Sequence, residues 1–200
     1  MVNSIIFDYG EVISVSSKKV NPRERVAKAF GVNEEILKDA IGKHIMNFRT
    51  GKMREEQFWQ EVGRSLGKVV PPEVPTLWRK SFQDSFAVDT EILDYISKLK
   101  KRRIKVAVLS NNIQPWVEII RNFGGYNGFD VVVNSCEVGM AKPDPEIYKL
   151  TLSKLGSKPE ETIFIDDRVE NLIPAQKIGM KVILATDRAS VLSAMEKEIN

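Results

Sequence analysis

Two short apolar runs, far apart in the chain, both stop at carboxylates: Ile5-Ile6-Phe7-Asp8 and Ile163-Phe164-Ile165-Asp166-Asp167. Neither alternates apolar with polar residues. A strand of this kind is covered on both faces, which is the situation of a parallel strand inside an α/β sheet. Three more runs share the character: Lys105–Leu109, Asp130–Val133 and Lys181–Ala185. Helical stretches separate the last four strands. Pro115–Arg121 is one. A second opens at Asp144-Pro145, an aspartate cap followed by proline at the first helical position, and ends before Gly156. A third runs from Glu170 to Ile178 and stops at Gly179. Strand and helix alternating in this way require right-handed crossovers, so the expected class is α/β, with a doubly wound, mainly parallel sheet.

The first strand breaks this rhythm, because no strand pattern returns between Val15 and Lys105. The interval reads as helices. Asn21-Pro22-Arg23-Glu24 has the spacing of a capped start, and Gly31 closes that helix. Asn33-Glu34-Glu35 opens another that runs towards Met46. Arg54–Leu66 puts Phe58, Trp59, Val62 and Leu66 on one face. After Pro71-Pro72 a short helix is expected over Thr76–Phe82, and Asp89 or Thr90 caps one that leads back to the sheet. The expected division is a core of residues 1–15 and 88–200, with a small α-helical cap, 16–87, inserted between its first two strands. Trp59 and Trp78 are expected to pack in the cap's own core.

Charge excludes some partners. With 30 basic and 27 acidic residues and a net charge of +3, the chain gives no electrostatic case for nucleic acid or a membrane surface. The run Lys98-Leu99-Lys100-Lys101-Arg102-Arg103 reads as the solvated C-terminal end of a helix, where cations suit the dipole. The single cysteine, Cys136, has no partner for an internal disulfide, so a reducing, cytoplasmic setting is expected. It reads as a packing residue, since His44 is the one histidine that could activate it. No apolar stretch has the length of a membrane span, and the N-terminus lacks a signal peptide's basic region. A small soluble ligand, handled by a monomer or homodimer, is the expectation.

Open α/β sheets bind ligands outside the carboxyl ends of their strands. That rule gathers Asp8, Ser110-Asn111-Asn112 and Asp166-Asp167 at one edge, with Lys142 in the loop before a capped helix. An inserted helical cap would lie over that edge. Each residue type has a task on a phosphate ester. A carboxylate can attack phosphorus and carry the phosphoryl group. Three acids around one point repel one another and a dianionic substrate, so a hard cation such as Mg²⁺ is expected. A serine hydroxyl and a lysine amine can hold the equatorial oxygens.

These motifs resemble the haloacid dehalogenase-like (HAD) hydrolase superfamily. The matching pieces are Ile5-Ile6-Phe7-Asp8-Tyr9-Gly10-Glu11-Val12, Val106-Ala107-Val108-Leu109-Ser110-Asn111, Lys142-Pro143 and Ile163-Phe164-Ile165-Asp166-Asp167. The segment Phe48-Arg49-Thr50-Gly51-Lys52-Met53, followed by Glu56-Gln57-Phe58-Trp59, is similar to caps of sugar-phosphate phosphatases in this group. The resemblance implies a Rossmann-like core and a Mg²⁺-dependent phosphomonoester hydrolase. Its substrate would be a small phosphorylated metabolite, hydrolysed through an aspartyl-phosphate. It implies that Asp8 is nucleophile and metal ligand, with the Gly10 carbonyl as a second ligand. Asp167 would bind the metal directly, and Asp166 through water or by orienting its neighbour. Ser110 and Lys142 would hold the phosphate, Asn111 would orient Asp8 or substrate, and Arg49 with Lys52, Asn47 and Phe48 would touch substrate from the cap.

Position 10 departs from the family's phosphatases, which usually carry a second Asp there to protonate the leaving alcohol. Loss of a general acid–base costs about 10²–10⁴ in rate, so Glu11, His44, Arg49 and Lys52 become candidates for the proton. Two rival readings follow. A haloacid dehalogenase needs no acid at position 10, but has no use for the pair Asp166-Asp167. A HAD fold retained as a binding or regulatory module would tolerate the loss.

Overall fold

The computed structural model describes residues 1–14 and 21–199. The expected start of the cap, and Val15 at the end of the first core segment, lie outside the described residues. The chain opens with β1 (Ser4–Phe7) and continues through α1 (Pro22–Phe30), α2 (Glu34–Arg49), α3 (Glu55–Leu66) and α4 (Val74–Ser85). Then follow α5 (Thr90–Lys101), β2 (Lys105–Ser110), α6 (Gln114–Asn122), β3 (Val131–Asn134), α7 (Ser135–Val138) and α8 (Pro145–Leu155). The last elements are β4 (Thr162–Asp166), α9 (Val169–Lys177), β5 (Lys181–Leu184) and α10 (Arg188–Ile199). Among the described residues no helix is long and apolar enough to cross a membrane.

The five strands form one sheet in the order β3-β2-β1-β4-β5, parallel throughout. The α/β expectation therefore holds. β1 lies at the centre, with Phe7 in register with Val108 of β2 and with Ile165 of β4. Side chains alternate across the sheet. Ile5 and Phe7 join Val106, Val108, Ile163 and Ile165 on the face covered by Ile92, Ile96 and Leu99 of α5. Ile6, Ala107, Leu109 and Phe164 face the other way, against Ile147, Tyr148 and Leu152 of α8. Each such buried apolar side chain contributes about 1.5–3 kcal/mol. The same alternation carries Asp8 and Asp166 onto the α8 face, where the Lys142 loop arrives.

Local chemistry sets the helix ends. Asn21 accepts from the amides of Arg23 and Glu24, Asp144 accepts from Glu146, and Gly31, Gly67 and Gly156 close their helices in the left-handed region. α4 begins at Val74, two residues before the expected Thr76, because Pro75 is tolerated in a first turn. The sequence reading contains neither α7 nor α10. The first is a single turn, and the second buries little beyond Val191 and Met195.

Helices α1–α4 pack around their own cluster, which includes Phe30, Leu37, Phe48, Phe58, Trp59, Val62 and Trp78. Trp59 and Trp78 meet edge to face at 5.6 Å, as the reading of their packing role expects. These helices meet the sheet unit at α6 and at α7. On α6, Trp116 stacks on Trp78 at 5.4 Å and on Phe82 at 4.5 Å, while Arg79 binds Glu118 at 3.1 Å as well as Glu55. At the other contact Gly51 lies against the backbone of Cys136, and a Cβ on Gly51 would collide with the Cys136 carbonyl oxygen.

Candidate active site

The end of β1 delivers Asp8 to the carboxyl edge of the sheet, where it is 8% exposed. Its amide donates to the Ile165 carbonyl at 2.8 Å, so the ladder with β4 runs one residue past the strand and fixes the backbone there. Oδ1 accepts from the Tyr9 amide at 2.7 Å and from Lys142 Nζ at 2.8 Å. Lys142 Nζ also donates to Asp166 Oδ2 at 2.7 Å, and its ammonium sits 5.5 Å from the centre of the Phe164 ring. Its side chain is 1% exposed. Two carboxylates share one buried ammonium, and removing one partner of such a buried pair costs about 3–5 kcal/mol.

The Lys142 backbone is clamped too. Asn111 Nδ2 donates to the Lys142 carbonyl at 2.7 Å, and the Lys142 amide donates to Asn111 Oδ1 at 2.8 Å. The Asn111 side chain is therefore committed to the lysine loop rather than to Asp8. Asp166 is fully buried. Its Oδ1 accepts from the Arg168 amide at 2.9 Å, and Asn171 Nδ2 reaches both oxygens at 3.0 and 3.1 Å. Tyr148 steadies that arrangement by donating to the Asn171 carbonyl at 2.7 Å. Sequence reasoning passed over Asn171. Its signal was its place five residues beyond Asp166, in the first turn of the following helix.

Asp8, Asp166 and Asp167 each offer an oxygen, all within 4.8 Å of one another. Burial pushes the Asp8 carboxyl above the usual carboxylate range; Lys142 opposes this and Asp166 adds to it. Asp167 is pushed up by burial, then by Asp8 and Asp166. A crowded set of hard oxygens of this kind fits a small divalent cation. The chemistry of the donors therefore agrees with Mg²⁺, with Asp8 and Asp167 the side chains best able to hold it, since the oxygens of Asp166 are already engaged.

These residues floor a cavity of about 660 Å³ between the sheet edge and helices α1–α4. Asp8, Gly10, Ser110, Asn111, Lys142 and Asp167 all line it, and so does Arg49 at the end of α2. Ser110 ends β2 and is 5% exposed. Gly10 is exposed, and a Cβ there would meet nothing nearer than Asp8 Oδ2, at 4.0 Å. Two cap candidates do not arrive. His44 pairs with Ser65 Oγ at 2.8 Å, and neither it nor Lys52 lines the cavity. Glu11 does line the cavity, with its backbone in the left-handed region at φ 56°. Cys136 is half-buried and its thiol is pushed up to about 11 by burial, so it is no nucleophile at neutral pH.

Residues 4–179 match the haloacid dehalogenase-like hydrolase family. Glyceraldehyde 3-phosphate phosphatase from Methanocaldococcus jannaschii is 38% identical over 192 residues, which cover 90% of this chain and 83% of that protein. Bifunctional epoxide hydrolase 2 from Rattus norvegicus is 35% identical over 122 residues, 56% of this chain; the match spans about a fifth (21%) of that longer protein. A HAD family enzyme from Bacteroides thetaiotaomicron, crystallised with magnesium and inorganic phosphate, is 26% identical with a TM-score of 0.76; the superposition covers 96% of this chain and 99% of that one.

Proposed function

The chain belongs to the haloacid dehalogenase-like hydrolase family, and on that premise we propose that it is a Mg²⁺-dependent phosphomonoester hydrolase acting through an aspartyl-phosphate on Asp8. The observation that carries the reading is the bridged trio at the sheet edge: Asp8 and Asp166 on one ammonium, with Asp167 beside them. The phosphatase relative and the neighbour holding magnesium and phosphate support it. In this reading residues 1–15 and 88–200 are the core and 16–87 the cap.

The engagement of one oxygen favours the other as the attacking atom. Asp8 Oδ1 is held by Tyr9 and Lys142, so Oδ2 faces the phosphorus. The bond from Oδ2 to phosphorus forms as the bond to the ester oxygen breaks, and the alcohol departs with a proton. Water then cleaves the acyl phosphate and regenerates the carboxylate. Lys142 has three N–H donors; two are spent on Asp8 and Asp166, and the third, with the Ser110 hydroxyl, binds the phosphoryl oxygens. Asn111 holds the lysine loop in place. Asp8, Asp167 and the Gly10 carbonyl would hold the cation, which offsets the charge of the dianionic ester when bound. Gly10 gives the leaving alcohol no acid, so that proton comes from another group at the cavity or from water.

Turnover of p-nitrophenyl phosphate and a panel of sugar phosphates, with Mg²⁺ and with a chelator, tests the reading. Activity should require the metal, and Asp8→Asn should lower it about 10⁴-fold or more. Surviving turnover in that variant would move the nucleophile elsewhere. Gly10 favours one rival: chloride release from a 2-haloacid in the presence of the chelator would make the chain a dehalogenase.

A further inference from the structure

The phosphatase reading uses the floor of the cavity and leaves three guanidinium groups in its lining unassigned. Arg23 lies in the first turn of α1, Arg49 is the last residue of α2, and Arg168 is the N-cap of α9. They come from three elements that are distant in sequence. Arg23 and Arg168 are exposed; Arg49 is half-buried.

Their electrostatics are unbalanced. The Arg49 guanidinium is held below its ordinary range by burial, then by Arg168; Asp8 opposes the shift and Arg23 adds to it. Among the described residues no carboxylate forms an ion pair with Arg23 or Arg49, and Arg168 reaches one only at the rim, Glu170 at 3.0 Å. Glu11, the remaining acid of the lining, has an interaction of its own. Bringing like charges together in a partly dry cleft is unfavourable unless an anion joins them. Guanidinium forks suit such an anion, since they bind carboxylate or phosphate oxygens in pairs.

The transferring phosphoryl group does not need them. Lys142, Ser110 and the cation site already surround its place at Asp8. Resting on the phosphatase reading, we propose that Arg23, Arg49 and Arg168 form a second anion subsite. The ester hydrolysed then carries a carboxylate or a second phosphate on its alcohol portion. The half-buried Arg49 would be the subsite's main anchor, with the exposed pair assisting. Both anions share the chemistry of paired oxygens on a compact negative group.

Binding separates this inference from the reading beneath it. Calorimetry with Mg²⁺ present compares methylphosphonate, phosphonoacetate and methylenediphosphonate on the wild-type chain and on Arg49→Gln, Arg49→Lys and the double variant Arg23→Gln/Arg168→Gln. Phosphonoacetate or methylenediphosphonate should bind the wild type at least about 30-fold tighter than methylphosphonate. Whichever gains more identifies the second group as carboxylate or phosphate. Arg49→Gln should erase most of that advantage, and Arg49→Lys should restore part of it. The exposed pair tests the subsite where folding is least at stake. Kinetics should agree, with the preference for 2-phosphoglycolate over p-nitrophenyl phosphate carried in KM. Equal affinity of the wild type for all three phosphonates, or equal weakening of all three in the arginine variants, overturns the subsite while metal-dependent phosphatase activity stands. Absence of both turnover and phosphonate binding overturns the phosphatase reading itself.

Discussion

The floor and the roof of the cavity are built in opposite ways. On the floor, the side chains around Lys142 are tied to one another: hydrogen bonds link Asp8, Asp166, Asn111 and Asn171 on adjacent parallel strands and the loops beside them. On the roof, Arg23 and Arg49 come from helix ends and have no carboxylate partner among the described residues. The floor is stabilised before any ligand arrives. In the proposed reading the ligand supplies the roof's partners, so that the sheet carries the chemistry and the helices the choice of molecule.

Lys142→Met should produce the largest effect on the floor. It leaves two buried carboxylates facing each other, so unfolding in denaturant should show a loss of about 3–5 kcal/mol. Phosphatase turnover should fall by about 10³-fold as a preorganised donor disappears. If stability holds while turnover collapses, the lysine serves the substrate alone and the closed network is not what orders this edge.

Gly10→Asp works in the opposite direction. The Cβ has room, its nearest contact being Asp8 Oδ2 at 4.0 Å, and Gly10 is not among the glycines with positive φ. An acid there should raise kcat on esters of poor leaving groups by about 10-fold or more. No change in a folded variant would show that the proton already has an efficient source.

The roof has its own weak point, and its expected effect is the smallest. Gly51 takes φ 67° and touches the Cys136 backbone, so Gly51→Ala both strains the turn and pushes α2 away from α7. Stability should drop by about 1–2 kcal/mol. Since Arg49 lies two residues earlier, KM for an anion-bearing substrate should rise several-fold while kcat on p-nitrophenyl phosphate moves little. An equal loss in both would show that the two surfaces are not separable.

What the sequence made legible follows the same division. Buried parallel strands are apolar throughout, so β1 and β4 announce themselves, and the acids after them mark the floor. Helix ends are written locally as well, in Asn21-Pro22, Asp144-Pro145 and the glycines that follow. The choice among roof residues was not legible. Arg49, His44 and Lys52 lie in one short stretch of sequence, yet of the three Arg49 alone lines the cavity, a choice made by tertiary packing. Arg23 and Arg168 become neighbours of Arg49 through the docking of three helices, a placement no local pattern encodes. Asn111 was expected to orient Asp8 or substrate; it lines the cavity with Asp8, and its side-chain amide also clamps the Lys142 backbone, a contact between loops that no local pattern encodes.

The central place of β1 also governs when the site can exist. The hydroxyls of Ser4 and Thr162 share a hydrogen bond of 2.7 Å across 158 positions of sequence. Asp8 precedes both neighbours of its strand in the chain, and that strand has none on one side until β2 is complete and none on the other until β4. A nascent chain therefore carries Asp8 unpaired until those strands have been made, and pairings this distant are slow to form. The buried lysine bridge, and with it the proposed cation and phosphate sites, becomes possible in one step, when the residues around Asp166 join the sheet.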